Sequence, residues 1–120
     1  MRQSSYSVGT EQKIIEGIAG GLSWNIPIKI TKTAVDASLK EGVLPCGTRI
    51  AKDGTVATTT ESKSNAYGVL VNDLDFNNSK GTEIAAVNIH GCLSKKLVEK
   101  YSETTVSAEE IAALGMITFI

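Results

Sequence analysis

The sequence predicts one mainly β domain with two short helices near its carboxy terminus. Three observations carry this. Apolar residues alternate strictly with polar ones across residues 24–31. Short apolar runs further on are separated by Gly, Pro and Asp-Gly punctuation. Apolar spacing then lengthens to a helical turn beyond Gly91, where a capping signature also falls. The chain has 120 residues, room for one domain and no second. It is 42% hydrophobic but only 5% aromatic, so its core must come from Ile, Val, Leu and Ala.

Residues 1–23 are rich in Ser, Gln, Glu and Gly around a small cluster, Ile14, Ile15 and Ile18, before Gly20-Gly21. They read as an amino-terminal arm, because such a composition buries too little apolar surface to offset chain entropy. Two readings of the cluster stand side by side: an arm ordered only by a partner, or one turn of helix lying on the domain. Tyr6, an aromatic among polar residues, has little local core to join, which favours partner contact.

From Trp24 the pattern changes. Trp24, Ile26, Ile28 and Ile30 alternate with Asn25, Pro27, Lys29 and Thr31, the period-two signature of a strand with one buried face. Core packing is the expectation for Trp24, with an interface anchor as its competitor. Pro27 has no amide hydrogen, which confines the strand to a sheet edge where another chain could pair.

Glycines and a proline bracket Val43-Leu44, and Asp53-Gly54 is a hairpin signal. Gly42, Pro45, Gly47, Gly68 and Gly91 are expected at structural turns. Residues 58–65 read as a polar loop and Tyr67 to Val71 as a buried strand. After a second polar stretch from Asp75 to Gly81, the unbroken Ile84, Ala85, Ala86 and Val87 suggest a central strand with apolar contact on both faces. Leu97, Val98 and Tyr101 then mark a short amphipathic helix. Ser107 and Glu110 have capping-box spacing for a second, ending near Gly115, and Met116 to Ile120 returns as a strand.

The search for chemistry gives no constellation. Net charge is −1, from twelve basic and thirteen acidic residues without a one-signed field, so nucleic acid is not an expected partner. No apolar run nears the roughly 20 residues that span a bilayer, and no secretion signal opens the chain, so a soluble, unexported protein is expected. Cys46 and Cys92 match neither a metal ribbon nor a redox pair. Buried reduced thiols are the favoured reading, with a disulfide left open. The lone His90 reads as a strand-end residue rather than a catalytic base. Asp73 and Asp75 do not define an acid-base pair. Their segment starts like a calcium loop but has Asn78 where the turn wants glycine and Ile84 where the bidentate glutamate belongs. No cofactor or catalytic residue is expected.

Leu44-Pro45-Cys46-Gly47-Thr48-Arg49-Ile50, then Ala66-Tyr67-Gly68-Val69-Leu70 with Asp73, then Ala86-Val87-Asn88-Ile89-His90-Gly91, together resemble the head decoration proteins of lambda-like phages. Leu114-Gly115 and the closing residues 117–120 continue the likeness, which covers about 43–120. Related head-fibre base domains of other tailed phages look similar. The resemblance implies a compact, β-clip-like domain, often trimeric, seated at three-fold positions on the outer surface of an expanded head and stabilising it. It implies a major capsid protein as partner, no catalysis, and a virion location after synthesis in the bacterial cytoplasm. It also implies an arm that orders on the shell, which makes Tyr6, Val8, Ile14 and Ile15 the candidate contacts and Trp24 and Pro27 the candidate edge. Deleting residues 1–20 would then leave a folded domain unable to bind. The rivals are a host-surface adhesin using loops 58–65 and 75–81, and a ligand-binding or enzymatic domain on the same scaffold.

Overall fold

The computed structural model describes Ile15 and residues 23–120. The alternating segment forms strand β1 (Trp24–Thr31), and a single helical turn, α1 (Lys32–Val35), with a 3-10 turn (Asp36–Ser38) turns the chain away. Two short strands follow, β2 (Val43–Leu44) and β3 (Arg49–Ala51). The stretch read as a polar loop contains a small hairpin, β4 (Thr59–Thr60) with β5 (Lys63–Ser64). Next come β6 (Ala66–Leu70), β7 (Leu74–Asp75) and the twelve-residue β8 (Thr82–Leu93). The chain closes with α2 (Lys95–Ser102), α3 (Ala108–Ala113) and β9 (Ile117–Phe119). A mainly β domain with two carboxy-terminal helices is what the sequence predicts.

Strand β8 is the spine. The main sheet runs β1-β8-β6-β3, antiparallel throughout, and β9 joins the far end of β8 in parallel, Gly91 opposite Ile117. Consecutive strand residues point to opposite faces, and β6 shows the outcome. Val69 joins a cluster with Cys46, Leu93, Val98, Val106, Leu114 and Ile117 beneath the helices, whereas Leu70 joins Ile28, Ile30, Leu44, Ile50, Phe76 and Val87 on the other side. The sheet is thus sandwiched between α2 and α3 on one face and the β2-β7 ribbon with α1 on the other. Each fully buried Ile, Leu, Val or Phe contributes roughly 1.5–3 kcal/mol of transfer free energy.

Ile15 corrects one expectation. Its side chain is 1% exposed within the helix-side cluster, and its carbonyl accepts from the Ser94 amide at 2.8 Å. Ile15 is a core residue of the domain, so deleting residues 1–20 removes part of the core. Tyr6, Val8 and Ile14 lie outside the described residues, as does the rest of the expected arm except Ile15 and Ser23.

The central strand is also less symmetric than the apolar run implies. Ala85 and Val87 are buried, but Ile84 is 68% exposed and Ala86 is exposed as well, so only one face of β8 is apolar-packed along this stretch. Gly42 and Gly47 occupy turns with φ of 81° and 91°, and Pro45 opens the turn that its carbonyl closes with the Thr48 amide. Gly68 and Gly91 are not at turns; both lie within strands. Gly68 is required by close packing, since a Cβ there would sit 2.8 Å from the Asn88 carbonyl oxygen of β8.

Candidate docking surface

Strand β1 forms one edge of the sheet among the described residues, as Pro27 requires. The carbonyl of Lys29 faces Gly54, at the tip of the turn after β3, rather than β8. By antiparallel alternation, Pro27 turns its missing donor to the same open side. This edge is therefore blunted twice, by the proline and by the Asp53-Gly54 turn resting at Lys29. It is a poorer template for strand pairing than its position alone suggests.

The face of β1 and β8 beside that edge is more open. Pro27 lies opposite Ala86 and Lys29 opposite Ile84, all four exposed. Tyr67 of β6 is 37% exposed, with the Lys52 ammonium 5.7 Å from its ring centroid. A shallow groove of about 380 Å³ runs between Pro27, Lys29, Lys52 and Tyr67. It combines apolar patches with two lysine amines at the rim.

Trp24 stands at the end of this strand and is 64% exposed. The expectation of core packing fails for a definite reason: the ladder shifts register between Trp24 and Asn25, leaving Ile89 of β8 unmatched. The extra residue lies on β8, so the regular ladder that covers Ile28 and Ile30 is interrupted where it reaches Trp24. The interface competitor is the reading its position supports. Met116, whose carbonyl accepts from the Gly91 amide at 3.2 Å, is also 64% exposed.

The residues examined for chemistry do not converge. His90 lies opposite Trp24, and the Asp73 carboxylate accepts from the Cys46 amide at 2.7 Å. Asp75 accepts from the Asn77 amide at 2.8 Å, the local turn expected of a solvated loop. Among the described residues no three His, Cys, Asp or Glu side chains gather as metal ligands, and no helix is long and apolar enough to cross a membrane. Cys46 and Cys92 form no disulfide. Cys46 is buried, with its Sγ donating to the Val71 carbonyl at 3.0 Å; Cys92 is half-buried. Asp53 is held below its ordinary pKa, by the Thr55 hydroxyl first and the Thr55 amide second.

Sequence reasoning missed Arg49, only 5% exposed at the floor of a cleft of about 460 Å³. Nη1 donates to the Gly47 carbonyl at 3.0 Å and to Ser102 Oγ at 3.2 Å. Nη2 donates to Thr104 Oγ1 at 2.6 Å and to the Thr105 carbonyl at 3.2 Å. Nε lies 3.2 Å from Glu110 Oε1 but makes no well-directed hydrogen bond, so that contact is ionic. Arg49 thus ties β3 to the segment joining α2 and α3, and its fork is spent on that tie rather than offered to a ligand. The available signal was a lone cation in an apolar strand, Thr48-Arg49-Ile50.

Comparison of the chain with protein-family models, curated proteins and solved structures gives no match.

Proposed function

We propose that this chain is a capsid decoration protein that binds the outer surface of a tailed-phage head and stabilises the shell. The observation that carries the reading is the exposure of Trp24, Pro27, Ile84 and Ala86 on the paired strands β1 and β8. Exposed aromatic and aliphatic residues on a fixed framework are the usual anchors of a protein interface. The resemblance supports the same reading, because its segments form one continuous framework here: the turn into β3, then β6, β8 and β9. The partner is the major capsid protein, at three-fold positions, with the chain acting as a β-clip-like homotrimer. Many copies bridging neighbouring subunits would multiply a modest single contact. Tyr6, Val8 and Ile14 remain the arm residues proposed to grip the shell, and Ile15 does not.

The test is direct. Purified protein mixed with undecorated tailed-phage heads is expected to co-sediment with them and to appear as regular protrusions by electron cryo-microscopy. Heads that sediment bare across a range of protein concentrations, from a phage whose virions contain the chain, would refute the proposal.

A further inference from the structure

The Asp53-Gly54 step is chemically distinctive. An aspartate followed by glycine leaves the next backbone nitrogen unhindered, so that nitrogen can attack the side-chain carboxyl. A C–N bond forms between Gly54 N and Asp53 Cγ, one water leaves, and a five-membered succinimide results. Hydrolysis returns the water and opens the ring at either carbonyl, to aspartate or to isoaspartate. No oxidant or other co-reactant is needed. The product carries the chain through the side chain and inserts an extra backbone carbon.

Here both reacting groups are engaged by other partners. Asp53 Oδ1 accepts from the Thr55 hydroxyl at 2.7 Å and from the Thr55 amide at 3.1 Å. These bonds turn the carboxylate toward Thr55 and keep it charged, the poorer electrophile. The nucleophile is engaged as well, since the Gly54 amide donates to the Ala51 carbonyl at 3.0 Å. Ala51 in turn donates to the Thr55 carbonyl at 2.7 Å, so the five residues 51–55 form one closed turn. Gly54 has φ of 90° and is packed so tightly on β1 that a Cβ would stand 2.5 Å from the Lys29 carbonyl oxygen. An extra backbone carbon cannot be taken up there without lifting the turn off the strand.

We propose that Asp53 is a site of spontaneous isoaspartate formation, restrained by Thr55 and Ala51 in the folded chain, and that its conversion detaches the 52–55 turn from β1. The modification thereby unblocks the Lys29 end of the sheet edge. This places an ageing-dependent change next to the groove between Pro27 and Tyr67.

The experiment incubates the full chain at neutral pH and 37 °C and measures isoaspartate at residue 53 by peptide mapping over weeks. The comparison set is the wild type, Thr55→Val, Thr55→Ser and the wild type unfolded in urea. Thr55→Val is expected to convert roughly tenfold faster than wild type, the factor to which loss of a hydrogen bond to a charged group corresponds. Thr55→Ser, which keeps the hydroxyl, stays near the wild-type rate, and the unfolded chain is fastest. Hydrogen exchange on the converted protein is expected to show faster exchange at Gly54 and Thr55, with β6 and β8 unchanged. Equal rates in folded and unfolded wild type, or a Thr55→Val rate matching Thr55→Ser, would overturn the restraint. Unchanged exchange at Gly54 after conversion would overturn the detachment.

Discussion

Ile15 and Arg49 show how much a single side chain can hold in a small sheet. Ile15 fills a place among Val69, Leu93, Val98 and Leu114 and donates no chemistry. Ile15→Ala is expected to lower unfolding free energy by about 2–5 kcal/mol, read from urea denaturation. Arg49→Ala removes the donor to the Gly47 and Thr105 carbonyls and to Ser102, and the buried cation beside Glu110, and is expected to destabilise by about 3–5 kcal/mol in the same assay. By contrast, the Lys40–Glu103 contact at 2.8 Å joins two exposed side chains and should contribute under about 1 kcal/mol. Asp53 adds a pH dependence of known sign. Its folded pKa is depressed, so its contribution is present above the unfolded value and lost as pH falls through the folded one. Protection of the Thr55 amide, taken relative to the intrinsic exchange rate at each pH, should therefore fall only as pH drops below the ordinary carboxylate range. No slowing or quickening across neutral pH is expected from this group.

At the scale of elements, the best-determined boundary is the start of α3. Ser107 Oγ accepts from the Glu110 amide at 3.1 Å while Glu110 Oε1 accepts from the Ser107 amide at 3.0 Å. Ser107→Ala should cost about 1 kcal/mol in thermal or chemical denaturation. That box was legible because it depends on two residues three apart. So were β1 and the Asp53-Gly54 turn, each set by local spacing. What stayed hidden depends on partners distant in sequence. The exposure of Trp24 follows from a register shift against β8, and the place of Ile15 follows from Ser94 and the helix-side cluster. The 58–65 hairpin was read as loop because its tip uses Glu61 and Ser62, at φ of 53° and 64°, where glycine or asparagine would announce a turn. Gly68 reads as a turn in the sequence because strand glycines and turn glycines look alike until a neighbouring strand is in place.

For the whole molecule, the fold was far more legible than the docking surface. Class, single core domain and carboxy-terminal helices follow from periodicity, but which apolar residues face water depends on what the sheet leaves uncovered. Ile84 and Ala86 belong to an apolar run whose other members are buried, and nothing local separates them. The docking proposal makes a prediction at this scale. Trp24→Ala should leave thermal stability nearly unchanged, because the ring is 64% exposed, while weakening attachment to heads by about thirtyfold or more, as loss of an interface anchor does. Parallel loss of melting temperature and binding would instead make Trp24 a structural residue.

The length and central place of β8 also bear on how the chain is made. Strand β1 is synthesised early, yet its ladder partner is β8, encoded far downstream, and β6 waits for the same strand. A ribosome must therefore extrude the chain through β8 before the sheet can zip together, and the Trp24–Thr31 segment travels unpaired until then. Assembly dominated by such distant pairings belongs to the millisecond-to-second regime rather than the microsecond one, and throughout that interval an Ile-rich ribbon is open to aggregation, with Pro27 as its built-in guard.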